Sequence, residues 1–296
     1  SVRTLPYVLC QNPKNGMYVS ENDGGVVSLY WGADKVDNKT FNELAALTAI
    51  DPILMAAKHE IYKSAATHMI TASGIGKYFP DDKEISKLIF ELPPPAKFDL
   101  RDGAPMTIFT ADNTFAREAR WTPVYKDDVH EGLMVTASAP VYDKHDNFMG
   151  ITGIDVPLNR VNEDIASLTQ NGESEVASTF ILDGLGRLIT FPKEKLELFG
   201  LKMDTSEFVD SGDIVELSLS GSTYPGVTKL HSQILGQESS ISSFAVNGQQ
   251  HIAASYKMKK IGWYMVIVIH EENLFKSVEK TNVALGNTLE KLKNIY

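Results

Sequence analysis

The residues best suited to chemistry are acids and aromatics in two short stretches. WTPVYKDD, Trp121 to Asp128, sets the rings of Trp121 and Tyr125 beside the carboxylates of Asp127 and Asp128. FMGITGIDV, Phe148 to Val156, brings an apolar run to a third acid, Asp155. Carboxylates next to aromatic faces can hold an ammonium cation through charge-assisted hydrogen bonds and cation–π contact. The acids Asp127, Asp128 and Asp155 could instead share acid–base work in a carboxylate-dependent hydrolase of exported type, although no nucleophile, metal or cofactor signature accompanies them. Plainer roles exist for each residue. Asp155 could cap a helix that follows Pro157, and Trp121 and Tyr125 could be core side chains.

Other chemistries find little to work with. Seven histidines are scattered, and none belongs to an HExxH-type or Cys/His ligand set, so no metal site is expected. The chain has no GxSxG, P-loop or GxGxxG pattern, and GIG at Gly74–Gly76 and GLG at Gly184–Gly186 read as hairpin turns, so no cofactor is expected. DKHDNFMG lacks the glycine and glutamate that a calcium loop needs. One cysteine, Cys10, excludes an internal disulfide framework. A net charge of −10 without a basic stripe disfavours nucleic acid as a partner.

The elements that must position these residues can be read from periodicity. VTASAPVYD and FMGITGIDV form an antiparallel hairpin joined by the turn Asp143-Lys144-His145-Asp146-Asn147, with Gly150 and Gly153 allowing another element close to the sheet. Alternation along the second strand places Asp155 at its end, where a carboxylate can project into a cavity. HMITASGIGKYFP and TFILDGLGRLITFP share one plan, strand, Gly-rich turn, strand and Phe-Pro, which reads as an internal repeat with one sheet module beginning near each copy. Helical spacing marks FNELAALTAIDPILMAAKHEIYKS, kinked or restarted at Asp51-Pro52, and PLNRVNEDIASLTQNGE after Pro157. After Ile269 a seam that includes Leu285, Leu289 and Leu292 predicts an amphipathic helix suited to a partner helix.

The organisation expected is α+β, with two tandem modules of mainly antiparallel sheet and long helices at both ends. An N-terminal helical region covers 1–64 and a first module 65–156. A connecting helix over 157–176 leads to a second module over 177–270 and a C-terminal helix over 271–296.

At WTPVYKDD followed by LMVTASAPVYDKHDNFMGITGIDV the sequence resembles the ligand-binding half of a double Cache domain. This is the PAS-like extracytoplasmic sensor of bacterial and archaeal chemoreceptors, sensor histidine kinases and cyclic-dinucleotide enzymes. TFILDGLGRLITFP and GQQHIAASYKMKKIGWYMVIVI are similar to its membrane-proximal module. The resemblance implies a non-enzymatic sensor on the periplasmic or extracellular side of the membrane, reached through flanking transmembrane helices outside this stretch of sequence. It implies a small organic solute, an amine or amino acid, as ligand, and a homodimer in the full-length receptor. It also implies that Asp155 holds the ligand's ammonium group, helped by Tyr125 and Asp127. Amino-acid sensors of the family carry an Arg-x-Trp-Tyr segment for the ligand carboxylate. Here ADNTFAREARWTPVY sets Arg117 and Arg120 directly before Trp121 instead. Either guanidinium could serve, or both could lie on a solvated loop.

Overall fold

The computed structural model describes residues 4–21, 24–31, 36–61, 64–80, 91, 99–109, 117–127, 132–161, 163, 165, 176–192, 195–202 and 217–273. Two compact units divide the chain, Ser1–Arg160 and Val161–Tyr296, just past the expected module end at Val156.

The first unit is built on an antiparallel sheet of nine strands. They are β1 (Val8–Gln11), β2 (Tyr18–Glu21), β3 (Val27–Tyr30), β4 (Thr67–Thr71), β5 (Ile75–Phe79), β6 (Arg120–Trp121), β7 (Tyr125–Lys126), β8 (Leu133–Tyr142) and β9 (Phe148–Pro157). Their order is β1-β2-β3-β5-β4-β9-β8-β6, with β7 also paired to β8. The N-terminal region expected to be helical over 1–64 therefore needs correction, because it opens with three strands. Their aromatic and β-branched residues suit a pleated surface, and pairing Val27 with Tyr78 covers the edge of β5.

Helices follow only after those strands. Asp37 caps α1 (Asn38–Leu47) by accepting a bond from the Thr40 amide at 2.7 Å. A 3-10 turn over Thr48–Ile50 separates it from α2 (Asp51–Glu60), whose first turn holds Pro52. Leu44 and Leu47 pack on Tyr30, Met69 and Ile75 of the sheet. The fully buried Lys77 on β5 fixes α2 through an ion pair with Asp51 at 2.7 Å. On the opposite face, a turn at Leu100–Asp102 and the short helix α3 (Ala104–Thr107) bring Leu100 and Met106 onto Ile70 and Ile151.

The second unit carries β10 (Val176–Leu182), β11 (Leu188–Thr190), β12 (Ser239–Val246), β13 (Gln249–Met258) and β14 (Trp263–His270), in the order β11-β10-β14-β13-β12. Helix α4 (Pro225–Ile234) buries Val227, Leu230 and Ile234, and Phe180, Phe191, Phe199 and Phe244 form the aromatic centre of this unit. The run β5-β4-β9-β8 in the first sheet repeats as β11-β10-β14-β13 in the second. The repeated sequence plan thus corresponds to a repeated topology, and GIG and GLG do lie at hairpins, β4–β5 and β10–β11. Pro157 ends β9 opposite Met134. Residues 158–161 are helical, as the expected connecting helix requires, while most of 162–175 lies outside the described residues. The expected C-terminal helix, with Leu285, Leu289 and Leu292, also lies outside them after residue 273. Among the described residues no helix is long and apolar enough to cross a membrane.

Candidate functional site

Strand register gathers a polar group on one face of the first sheet. Asp155 pairs with Thr136, and Gly153 lies between His68 on β4 and Ser138 on β8. His68 in turn pairs with Tyr78, Ser138 with Arg120, and Met134 with Tyr125. Because residues directly opposite across a ladder share a face and alternate residues return to it, Tyr78, His68, Asp155, Thr136, Ser138, Arg120 and Tyr125 all stand on the same side. Gly153 is the small residue that permits this crowding, while Gly150, on the other face, lets β9 lie close to the β4 backbone. Gly150 has φ +143° and its backbone lies against the Ile70 carbonyl, and a Cβ on Gly153 would meet the His68 ring. The close neighbour anticipated beside these glycines is therefore β4 itself.

Asp155 is only 5% exposed. Its Oδ1 accepts a hydrogen bond from the Thr136 hydroxyl at 2.7 Å, and its Oδ2 lies 3.0 Å from Nδ1 of His68. Since Thr136 gives its one hydroxyl proton to the carboxylate, the Tyr125 hydroxyl, 2.7 Å away, donates to Thr136. A relay of donors thus runs from Tyr125 through Thr136 to Asp155. The backbone of Asp155 is paired as well, its N–H donating to Ala66 at 2.9 Å and its carbonyl accepting from Ala65 at 2.7 Å. Asp155 is therefore a strand residue whose side chain bonds to the flanking strands, and these bonds are not those of a helix cap.

Electrostatics place four groups in one neighbourhood. Burial pushes the Tyr78 and Tyr125 phenols well above their usual range, and the Asp155 carboxylate adds to the shift in both. Asp127 raises both further. It is half-buried just after β7 and donates its amide to Gly132 at 3.1 Å.

Of the residues singled out in the sequence, Asp155, Tyr125 and Asp127 are brought together, and Arg120 joins them on the same face with its Nε buried. Trp121 is not brought in. It pairs with Ala137, one residue out of step with Thr136 and Ser138, so the pleat puts it on the other side of the sheet. Arg117 is also elsewhere: it pairs with Asp146 in the β8–β9 turn at 2.5 Å and lies over the Tyr142 ring at 4.5 Å. Tyr142 is roughly 20 Å along β8 from Thr136. The exposed turn supplies Arg117 with both an anion and an aromatic face, which holds it away from Asp155. Asp128 lies outside the described residues. Sequence reasoning missed His68, Thr136 and Tyr78. A polar residue at every second position of a buried strand was the available signal, and for His68 it emerges only once the register with Gly153 is known.

The Cache domain family model matches residues 38–278. Among curated proteins, the voltage-dependent calcium channel subunit alpha-2/delta-2 of Rattus norvegicus is 29% identical over 119 residues, which is 37% of this chain and 10% of that protein. The chain thus aligns with about a tenth of the length of the curated relatives it matches. Among solved structures, the ligand-binding domain of the Pseudomonas aeruginosa amino acid chemoreceptor PctB, in complex with L-Arg, shares 20% identity at a TM-score of 0.51 and covers 82% of this chain and 78% of its own. The ligand-binding domain of the Pseudomonas fluorescens chemoreceptor CtaA, in complex with L-isoleucine, shares 16% identity at a TM-score of 0.51, covering 78% and 79%. At these identities the likeness is one of fold. With a family match that takes in both units, and two antiparallel modules built on one repeated topology, the chain belongs to the Cache domain family and has the two modules of a double Cache domain.

Proposed function

We propose that the first unit binds a small organic solute through an ammonium group, with Asp155 as its anchor. The observation that carries this reading is a buried carboxylate oriented by Thr136 and His68, with the Tyr125 hydroxyl bonded to Thr136 and the Tyr78 ring beside His68. A carboxylate removed from water is costly unless it is well matched, and an ammonium brings both charge and hydrogen-bond donors. Tyr125, through its bond to Thr136, and Asp127, through its field, support the same cation. Arg120 stands one rung away on the same face and offers a guanidinium to a ligand carboxylate. The L-Arg and L-isoleucine found in the neighbouring domains are consistent with an amino acid as ligand.

The full-length protein is then a membrane receptor. Its sensor faces the periplasm or the cell exterior, its protomers pair as a homodimer, and its output is that of a chemoreceptor or a histidine kinase. No observation favours the hydrolase reading of the same acids. A thermal-shift screen of amino acids, amines and small carboxylates tests the ligand class, because a ligand at a hundred times its dissociation constant adds about 2.7 kcal/mol to the folded state. Compounds with an ammonium group are expected to raise the melting temperature. Stabilisation by simple carboxylates alone would refute the ammonium reading.

A further inference from the structure

His68 is 1% exposed, and only one of its two ring nitrogens has a hydrogen-bond partner among the described residues. Nδ1 lies 3.0 Å from the Asp155 carboxylate, which can only accept, so Nδ1 carries a proton, and in the neutral form of the ring Nε2 is then a bare acceptor. Nε2 is buried and has no hydrogen-bond partner among the described residues. Buried polar atoms without partners are few in native proteins and each calls for an explanation.

The surroundings of Nε2 supply one. It projects over Gly153, where a Cβ would come within 2.5 Å of it, so the fold keeps that position free of a side chain. The Tyr78 ring flanks the imidazole with centroids 5.3 Å apart. Along the same rung, His68–Gly153–Ser138–Arg120, the Oγ of Ser138 and the Nε of Arg120 are also buried without partners among the described residues. Unmatched polar atoms are thus grouped on one rung beside the Asp155–Thr136 pair, with a glycine between them.

We propose that His68 contacts the ligand, its Nε2 accepting a hydrogen bond from an N–H of the cation that Asp155 anchors. This rests on the ammonium reading above and narrows it. Two neighbouring acceptors, the Asp155 carboxylate and the His68 Nε2, require a cation with at least two N–H donors. The site then takes a primary ammonium, amidinium or guanidinium and discriminates against a quaternary ammonium, which has charge but no N–H.

The experiment uses L-isoleucine and L-arginine, together with their Nα-trimethyl derivatives, as calorimetric probes of the wild-type domain, His68→Asn and Asp155→Asn. Asparagine keeps a donor where Nδ1 stands and deletes Nε2. The wild type is expected to bind at least one parent amino acid, and to bind its trimethyl derivative at least tenfold more weakly. His68→Asn should weaken the parent about tenfold and erase most of that discrimination. The 15N resonance of His68 Nε2 in the wild-type protein provides a readout that does not depend on the variant folding, and it should move upfield as the probe saturates. If a probe binds, and binding is lost in Asp155→Asn while the Nε2 resonance and the trimethyl discrimination stay unmoved, the His68 assignment is wrong and the ammonium site stands. If neither parent amino acid binds the wild type at millimolar concentration, the α-ammonium reading falls and this inference falls with it.

Discussion

His68 and Asp155, 87 residues apart in sequence, meet with Nδ1 3.0 Å from Oδ2. The contact bridges β4 and β9, which are already paired along their length, so it adds little to strand registration. What it does is fix the direction of one carboxylate oxygen, while Thr136 fixes the other. A carboxylate held from two sides loses little freedom when a ligand arrives, which favours affinity.

Thr136→Val tests the relay from Tyr125 to Asp155. The change keeps volume but removes a hydroxyl that bonds to both residues, leaving two buried polar atoms each short of a partner. Unfolding by denaturant should show a loss of about 1 to 3 kcal/mol. Thr136→Ser, which retains the hydroxyl, should recover most of it.

The two tyrosines give the domain an alkaline limit. Burial and the nearby Asp155 raise the folded-state affinity of Tyr78 and Tyr125 for their protons, so above the ordinary phenol value of about 10 the folded state binds more protons than the unfolded one. Their contribution to stability is therefore complete below pH ~10 and declines as pH rises beyond it. Ultraviolet titration should show other tyrosines ionising first, with Tyr78 and Tyr125 ionising only as the fold is lost. Tyr125→Phe should lessen the decline.

The two glycines of β9 should respond differently to alanine. At Gly150 a Cβ would lie 2.1 Å from the Ile70 carbonyl oxygen, with φ at +143°, so backbone must move and a loss above about 4 kcal/mol is expected. At Gly153 the obstacle is the end of the His68 ring, 2.5 Å away, and a side chain can turn aside. Gly153→Ala should keep the fold by circular dichroism and lose ligand affinity. Comparable unfolding by both variants would contradict this distinction.

Much of this architecture was legible because period and turn chemistry are local properties. The β8–β9 hairpin, the β4–β5 and β10–β11 repeats and the break at Asp51-Pro52 are written in adjacent residues. The first three strands were missed because short β-branched runs carry no partner in their own sequence, and only pairing with β5 reveals them as strands. Asp155, Tyr125 and Asp127 were singled out from a family pattern, and strand pairing brings them together. Trp121 and Arg117 were misplaced because proximity in sequence does not determine the face of a sheet: one residue of register sends Trp121 to the far side, and Asp146 captures Arg117 at the turn. His68 and Thr136 could not be assigned without the strand pairing that brings them to Asp155.

The proposed role of Asp155 is to anchor a cation. Its most direct test is calorimetric titration of the amino acid that most stabilises the domain into the wild type and Asp155→Asn, with melting temperatures measured on the same preparations. Asparagine preserves shape and removes the charge, so affinity should fall by about 2 to 5 kcal/mol while the variant remains folded. Binding to a folded Asp155→Asn with unchanged affinity would contradict the account.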